Sequence, residues 1–359
     1  MRINTQDLAL DEALFDCAEK KVKPLKCIEL ANGKALKIEF LAGRIRNPVF
    51  IYKPLEYDPK EVEARLTSIR ATDSIIGNLL EDKKQEMLLE NRIIANRGAE
   101  DIVRPATSSL HGTPSRELVC YADSILNQVL PKADEKDVSS DVIKNALEDA
   151  LAENGLDDWK IEFSDKRLTT TYPAEKKITV CKDRKFARKD PARLKLHEVG
   201  VHAVRGANGY EQPLKVFAIG LPGYMTTEEG LTSYFEEVMH VSDEETLRKY
   251  AAEVIAIDSL CKNLDFRDTF DKLRSYGVND DDAWDISVRA YRGGGYIKDH
   301  IYLEGLVKIR EFAKNNGDFK TLFVGKIGLD NLPLVKELIK KGIIKEAKQI
   351  PQFLKYSTF

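Results

Sequence analysis

The residues of this sequence best suited to chemistry are His197 and His202, which flank Glu198 in the segment His197-Glu-Val-Gly-Val-His202. Zinc peptidases commonly carry H-E-x-x-H, with both histidines on one helix face as metal ligands and the glutamate as general base. The spacing in this chain, H-E-x-x-x-H, is one residue longer. Because five residues of a regular α-helix turn about 500°, the second imidazole would lie roughly 140° from the first and could not share its ion.

Two structures can follow from this spacing. A π-bulge, which adds one residue to a helical turn, would bring both imidazoles to the same side, and such bulges often occur at functional sites. Gly200 lies between the histidines and would relax the backbone there, although glycine inside a helix costs about 1 kcal/mol relative to alanine. In the alternative, the two histidines are unrelated and lie on opposite faces, one buried and one solvated.

A catalytic zinc site usually has three protein ligands, so a third is expected on a following helix. The segment Thr226-Thr-Glu-Glu-Gly230 is predicted to begin such a helix and offers Glu228 and Glu229. Thr226 and Glu229 also have the spacing of a capping box, in which the glutamate reaches back to the N-cap amide. The spacing alone favours the capping box over metal binding.

The segment His197–Asn208, followed by Thr227-Glu-Glu-Gly-Leu231, resembles the microtubule-associated tyrosine carboxypeptidase family, whose bacterial members are labelled QEGLA-motif proteins. Further similarity lies in Arg289-Ala-Tyr-Arg-Gly293, Lys298-Asp299 and Tyr302-Leu-Glu-Gly305. The likeness is dense over about residues 165–310 and thinner back to about residue 70. This chain reads Glu-Glu-Gly-Leu-Thr where the bacterial label reads Gln-Glu-Gly-Leu-Ala, and both differences flank the ligand position without removing it.

The resemblance implies an α+β, helix-rich, zincin-like metallopeptidase domain in which a small sheet packs against the metal-binding helix. It makes His197, His202 and Glu229 the zinc ligands, which decides between the two roles of Glu229. It makes Glu198 the general base that acts on a zinc-bound water. Peptidases with a His-Glu-Leu-Leu-Gly-His motif have a similar lengthened spacing, and this analogy supports the π-bulge.

Amide hydrolysis also requires a group that stabilises the oxyanion, and a carboxypeptidase requires a cation for the terminal carboxylate of its substrate. The oxyanion candidates are Tyr296, His300 and Tyr302. The substrate-binding candidates are Arg205, Arg289, Arg292 and Lys298. For each arginine, a structural salt bridge is the alternative role.

Together with the metal-site motif, the resemblance implies a zinc metallocarboxypeptidase that hydrolyses the C-terminal residue of peptide or protein tails, with tyrosine or another aromatic among the residues it would remove. One alternative is an endo- or aminopeptidase that uses the same zinc site. Another is a non-catalytic zinc- or peptide-binding protein, against which Glu198 argues because a scaffold does not need a glutamate between the histidines. The remaining alternative is a metal-free helical protein.

The composition of the 359 residues indicates a soluble globular protein. Lysine plus arginine (56) nearly balance aspartate plus glutamate (59), so the net charge of −3 gives no indication of nucleic-acid binding. The sequence starts without the apolar core of a signal peptide, and no apolar run approaches the ~18 residues that span a bilayer. The five cysteines are dispersed, which favours reduced thiols. We therefore expect a cytoplasmic protein that does not bind membranes.

Residues 176–195 form a basic segment, in which nine lysines and arginines minus two aspartates give a charge of +7. Most charge runs simply keep a surface solvated. The functional alternative is a basic rim that attracts an acidic C-terminal tail by electrostatic steering. The known member of the resembled family acts on the acidic tail of α-tubulin, which agrees with this alternative.

The sequence patterns divide the chain into an N-terminal α/β module, residues 1–68, and a zincin-like catalytic domain, residues 69–359. The module is predicted to contain a helix over 7–22 and strands at Lys26–Leu30, Ala35–Phe40 and Asn47–Tyr52, the first two joined by a hairpin. The catalytic domain is predicted to be mostly helical, with strands at 159–163, 168–172 and Lys177–Cys181. Lys177–Cys181 suits either the edge strand beside a peptide-binding cleft or an ordinary half-buried strand. Gly293–Gly295 is expected to line the cleft as a mobile or tightly turning segment.

Overall fold

The structure, a computed structural model, describes residues 3–129, 135–165, 169–242 and 244–356. Helices dominate it, as the sequence predicts, and none of those in the described ranges has the length and apolarity needed to cross a membrane. The helices are α1 (Thr5–Lys20), α2 (Pro24–Cys27), α3 (Gly33–Leu41), α4 (Pro59–Thr67), α5 (Ile75–Ala95), α6 (Glu100–His111), α7 (Arg116–Leu126), α8 (Ser140–Glu153), α9 (Asp190–Leu194), a π-helix (Lys195–Ala203), α10 (Val204–Tyr210), α11 (Val216–Ile219), α12 (Tyr224–Val238), α13 (Glu244–Cys261), α14 (Phe266–Ser275), α15 (Asp280–Gly295), α16 (Ile301–Lys314), α17 (Leu332–Lys340) and α18 (Gln352–Tyr356). Short 3₁₀ turns cover Pro173–Glu175, Thr321–Phe323 and Leu329–Asn331.

The strands form two small sheets, which together with the helices agree with an α+β class. They are β1 (Lys136–Val138), β2 (Lys160–Ser164), β3 (Thr170–Tyr172), β4 (Lys177–Cys181) and β5 (Phe186–Ala187). β1 pairs with β5, while the second sheet has the order β2-β4-β3, with β2 parallel and β3 antiparallel to β4. β4 is therefore the central strand and not the edge, because β2 and β3 occupy both of its sides. β3 is an edge strand; Leu168, the start of the strand predicted there, lies outside the described residues.

The strands predicted in the N-terminal module are wrong. α2 takes Lys26 and Cys27 from the first, α3 covers the second entirely, and the first and third meet only in a single bridge between Leu30 and Tyr52. Asn32 does not form a hairpin turn, because its side chain accepts a hydrogen bond from the Ile51 amide and donates one to the Val49 carbonyl, each 3.0 Å long. Phe40 at the end of α3 is fully buried, and this burial stabilises a helix where alternation had predicted a strand.

Two large buried clusters form the interior. The first joins Leu10 and Leu14 of α1 to Val199 of the π-helix and Phe217 of α11. The second contains apolar side chains of α7, α13, α14, α15 and α16. α1 thus shares a core with the segment that carries the two histidines, while the domain boundary at residue 68 stays a prediction.

α12 and α16 cross closely at two glycines. A Cβ on Gly230 would lie 2.4 Å from the carbonyl carbon of Gly305, and a Cβ on Gly305 would lie 2.1 Å from the carbonyl oxygen of Thr226. Only a hydrogen at each position permits this approach. Because Glu229 precedes Gly230, the crossing also fixes where Glu229 lies.

Candidate metal centre

The histidines lie on the π-helix Lys195–Ala203, which continues α9 and runs on into α10. Its wider turn accommodates the extra residue between His197 and His202, whose ring centres are 4.9 Å apart. The predicted π-bulge is therefore confirmed, as a π-helix of nine residues. The alternative, with the imidazoles on opposite faces, is wrong.

Gly200 is buried in the middle of the π-helix, against the ring of Phe353 from α18. A Cβ on Gly200 would lie 2.7 Å from Cε1 of that ring. Phe353 also packs on Phe235 of α12, with ring centres 4.5 Å apart. The glycine thus allows α12 and α18 to pack directly against the histidine-bearing segment.

Glu229 lies next to the two histidines. One donor atom from each of His197, His202 and Glu229 lies within 4.8 Å of the other two, and no other group of His, Cys, Asp and Glu in the described ranges is arranged to hold a metal ion. α12 begins at Tyr224, with Gly223 as its N-cap, so Thr226 lies inside the helix. The capping box predicted as the alternative role of Glu229 does not form, because the N-cap lies three residues before Thr226.

Each histidine is also hydrogen-bonded to a carboxylate that is not a candidate ligand. Nδ1 of His197 lies 2.8 Å from Oε1 of Glu236, and Nδ1 of His202 lies 2.8 Å from Oε1 of Glu228. Both pairs leave Nε2 as the ring nitrogen available to a metal, which is the arrangement that zinc-binding histidines usually have. Two imidazoles and one carboxylate are also a donor set typical of catalytic zinc, so these residues fit that ion.

Glu228 is anchored in turn by Arg205, which is 0% exposed. The Arg205 guanidinium donates to Oε2 of Glu228, and its Nε donates to the Leu322 carbonyl at 3.0 Å. Burial opposes the charge on Glu228, but Arg205 and His202 outweigh it and lower its pKa to about 2. Burial also opposes the charge on His202, yet the Glu228 hydrogen bond raises its pKa to about 9. Arg205 therefore supports Glu228, and its complete burial favours this structural role over the predicted role in substrate binding.

Glu198 is fixed by the edge strand of the sheet. It is 6% exposed, and its Oε2 accepts a hydrogen bond of 2.6 Å from Oγ1 of Thr171 on β3. The same hydroxyl donates to the Glu198 carbonyl at 3.2 Å. Among the described residues no hydrogen bond engages Oε1, so that oxygen is available for proton transfer.

Arg289 forms two ion pairs beside the site. Its Nε donates to Oδ2 of Asp299 at 2.8 Å, and its Nη1 lies 2.9 Å from Oε1 of Glu253. Burial raises the pKa of Glu253 to about 7, whereas for Asp299 the attraction of Arg289 outweighs burial and holds the pKa well below its usual value. These contacts favour the structural role of Arg289.

Tyr302 lies between this cluster and the candidate ligands. Its ring stacks on Tyr250, with centres 5.1 Å apart and planes at 11°, and Nζ of Lys298 lies 5.2 Å from its centre. Burial raises the pKa of Tyr302 well above its ordinary value, and the carboxylate of Glu229 raises it further. The phenol therefore stays protonated and can donate a hydrogen bond.

The remaining candidates are His300, Arg292, Tyr296 and Lys298, and two of them line a large cavity. His300 is 0% exposed, with Nε2 3.1 Å from the carbonyl oxygen of His111, and burial lowers its pKa. Nε of Arg292 is buried without a hydrogen bond to any described residue. Tyr296 and Lys298, 3% and 4% exposed, line a cavity of about 790 Å³, whereas His300 and Arg292 do not. The cavity is lined by Thr226 on α12 but not by the candidate metal ligands themselves.

The basic segment 176–195 is largely neutralised by nearby acids. Arg193, for example, pairs with Asp190 at 2.9 Å and lies 3.6 Å from Oε1 of Glu236. Ion pairs of the same kind hold Lys176, Lys177, Lys182, Arg188 and Lys195. This pairing removes much of the charge on which the basic-rim alternative depends.

Sequence reasoning missed Glu236, Thr171 and the supporting role of Glu228. Glu236 follows Glu229 by seven residues, which places both on one face of α12, so the sequence did contain a signal for it. Thr171 had no local signal, because its contact with Glu198 depends on how β3 pairs with β4 and packs on the π-helix.

A model of the family described as "Microtubule-associated tyrosine carboxypeptidase" matches residues 39–358 of the chain. This range contains the candidate ligands, Glu198 and both supporting glutamates. No solved structure gives a significant match.

Curated relatives match a shorter part of the chain. Microtubule-associated tyrosine carboxypeptidase 1 of Rattus norvegicus is 29% identical over 171 residues, which are 44% of this chain and 35% of that protein. The putative tyrosine carboxypeptidase MATCAP2 of Mus musculus is 30% identical over 170 residues, with coverage of 44% and 31%. Microtubule-associated tyrosine carboxypeptidase 1 of Homo sapiens is 29% identical over 170 residues, with coverage of 44% and 34%. The matched region thus spans about a third of the length of these relatives.

Proposed function

The chain belongs to the microtubule-associated tyrosine carboxypeptidase family, as its sequence motifs predict, and we propose that it is a zinc-dependent carboxypeptidase acting on peptide or protein tails. One observation carries this proposal: a donor atom from each of His197, His202 and Glu229 lies within 4.8 Å of the other two, and the neighbouring Glu198 is buried. Relatives named as tyrosine carboxypeptidases support the reaction type.

His197, His202 and Glu229 would hold the zinc ion, with Glu236 and Glu228 fixing the two rings through their Nδ1 atoms. A zinc ion bound there supplies Lewis acidity, which polarises the scissile carbonyl and lowers the pKa of water. Because the ring orientations are set by carboxylates within the protein, little ordering remains to be done when the metal binds.

Glu198 is the proposed general base. Its Oε2 is held by Thr171, so Oε1 takes the proton from the attacking water and delivers it to the leaving amine. The low exposure of Glu198 keeps bulk water from competing for this position.

Tyr302 is the proposed oxyanion donor. Of the three candidates, Tyr302 is the one whose pKa the charge of Glu229 raises. Nε2 of His300 already contacts the His111 carbonyl, and Tyr296 lines the cavity. A protonated phenol held by stacking on Tyr250 can donate to developing negative charge without reorganising.

The purified protein, loaded with zinc, should release single residues from a C-terminally varied peptide library. C-terminally amidated versions of the same peptides should be poor substrates, because they lack the terminal carboxylate. Hydrolysis of acid and amide at equal rates would indicate an endo- or aminopeptidase instead.

Glu198→Gln tests the base separately from the metal. We expect this variant to bind about one zinc ion per chain and to lose hydrolysis, since glutamine cannot accept the proton. Normal turnover by the variant would refute the assignment, and absence of zinc from both proteins would refute the metal site.

A further inference from the structure

The cavity of about 790 Å³ lies at the N-terminal end of α12. Thr226 and Thr227 contribute to its wall, and Glu229 follows Thr226 by about one helical turn. The proposed ligand and the cavity are therefore adjacent on the same helix. The volume falls within the ~300–1,000 Å³ of typical small-molecule sites.

Among the cations considered for the substrate carboxylate, Lys298 alone lines this cavity. Arg205 is fully buried against Glu228, and Arg289 is held by Asp299 and Glu253. Arg292 contributes nothing to the cavity wall. Of the four predicted substrate-binding cations, Lys298 is therefore the one placed to contact a molecule in the cavity.

Lys298 has a counterpart in Lys326, which also lines the cavity. Within the ranges that the structure describes, neither lysine forms an ion pair, although Lys298 is only 4% exposed. By contrast, Lys83 pairs with Glu86, and Lys308 pairs with Glu304 at 2.8 Å, both on the same wall. Two ammonium groups without a carboxylate partner make this part of the cavity suitable for an anion.

The acidic groups of the cavity do not cancel this preference. Glu86 and Glu304 already have lysine partners, Glu19 accepts a hydrogen bond of 3.3 Å from the Tyr210 hydroxyl, and Glu311 and Asp330 are exposed to solvent. Glu90 is half-buried, and burial raises its pKa to about 7, which weakens its negative charge near neutral pH. The two lysines therefore keep no ion-pair partner among the described residues; burial lowers the pKa of Lys326, while the charges of Glu228 and Glu19 favour its protonated form.

The rest of the wall is largely apolar. Its apolar residues include Met87 of α5, Leu110 of α6, Phe312 of α16, Tyr296, Ile219 and Met225. The volume exceeds that of any single side chain, so a large apolar residue fits without rearrangement. An apolar wall with two cations matches a molecule that has a carboxylate attached to a large apolar group.

We propose that this cavity binds the C-terminal residue of the substrate, with the terminal carboxylate on Lys298 and Lys326 and a large apolar or aromatic side chain against Met87, Leu110 and Tyr296. This assignment rests on the proposed carboxypeptidase function and identifies the side chains that hold the residue to be removed. It makes the two lysines, and not the arginines of the motif region, the groups that recognise a free C-terminus.

Binding of N-acetyl-L-phenylalanine and of its amide tests the proposal by calorimetry. The protein is the zinc-loaded Glu198→Gln variant, in which no turnover disturbs the titration. The acid should bind at least about 10-fold more tightly than the amide, since only the acid makes charge-assisted hydrogen bonds to lysine. This comparison uses no cavity substitution and is decisive even if a lysine variant fails to fold.

Lys298→Met and Lys326→Met, added singly, should each weaken binding of the acid about 10-fold and leave the amide unchanged. Lys308→Met is the matched control, because Lys308 lines the same cavity but already has a partner, and it should have no effect. Equal binding of acid and amide, or full affinity in both lysine variants, overturns the proposal. So does an acid preference that disappears when zinc is removed, since the carboxylate would then be on the metal.

Kinetics separate this proposal from the function on which it rests. If the wild type releases C-terminal residues but both lysine variants keep its KM, the cavity assignment fails and the carboxypeptidase function stands. If the probe binds as expected but no peptide is hydrolysed, the cavity assignment stands and the function fails.

Discussion

Oε1 of Glu236 lies 2.8 Å from Nδ1 of His197, on the side of the ring away from the nitrogen offered to a metal. Glu236 is 4% exposed, and Arg193 lies 3.6 Å from the same oxygen. The contact fixes both the tautomer and the rotation of the imidazole. Together with the Glu228–His202 pair, it orients the two rings before any ion binds.

Glu236→Gln should therefore lower zinc affinity about 10-fold or more, because the amide is a weaker acceptor for Nδ1–H and leaves Arg193 short of a counter-charge. Competition with a chelator of known affinity measures this directly. Glu237→Gln is the control, since Glu237 follows on the same helix but pairs with Arg310 at the surface. Equal zinc affinity in the Glu236→Gln variant and the wild type would show that the contact has no role in metal binding.

Gly230→Ala should destabilise the protein and weaken zinc binding together. The new Cβ would meet the backbone of Gly305 at 2.4 Å, so α12 and α16 must separate and move Glu229. We expect a loss of about 1–3 kcal/mol in the free energy of unfolding, measured with urea. Gly33→Ala is the control, because its Cβ would make an ordinary 3.4 Å contact with Leu30, and it should keep both properties. A stable Gly230→Ala variant with normal zinc affinity would contradict the crossing argument.

The part of the site that could be predicted from the sequence lies within one turn or two of a helix. The spacing of His197 and His202 conflicts with a regular α-helix, and that conflict predicts the π-helix. Glu229 could be separated from its capping role only by the family resemblance, since the helix start at Tyr224 has no distinctive local signal.

The errors arose where distant contacts decide the structure. Residues 35–40 alternate as a strand would, yet Phe40 packs at 4.9 Å on Phe266, more than two hundred residues away, and the segment is helical. The sequence left β4 open between an edge strand and an ordinary half-buried strand, because its position depends on β3, whose pairing no local pattern reveals. The guanidinium of Arg205 is suited to binding a carboxylate, and only the fold shows that this carboxylate belongs to Glu228.

Glu90 should make stability depend on pH. Its pKa is raised by burial from 4.5 to about 7 in the folded state, so the folded state binds a proton that the unfolded state has lost between these values. The contribution of Glu90 to the free energy of unfolding is therefore fully present below pH ~4.5 and is lost as the pH rises to ~7. The loss amounts to about 3 kcal/mol at most. Glu90→Gln should be more stable than the wild type at pH 8 and should lose this part of the dependence. Glu311→Gln, an exposed change in the same cavity, should follow the wild type across urea titrations from pH 4 to 8.

Tyr302→Phe should lower kcat about 10²- to 10³-fold with little change in KM, because the lost hydroxyl acts on charge that develops only in the transition state. Stacking of the ring on Tyr250 should survive, since the phenyl group keeps its shape. Tyr296→Phe is the matched comparison: Tyr296 lines the cavity, so its variant should change KM more than kcat. Steady-state kinetics on one peptide with a free C-terminus, at equal zinc occupancy, distinguish the two. If Tyr296→Phe loses kcat while Tyr302→Phe does not, the oxyanion donor is the tyrosine of the cavity, and the stacked pair of Tyr250 and Tyr302 only supports the fold around Glu229.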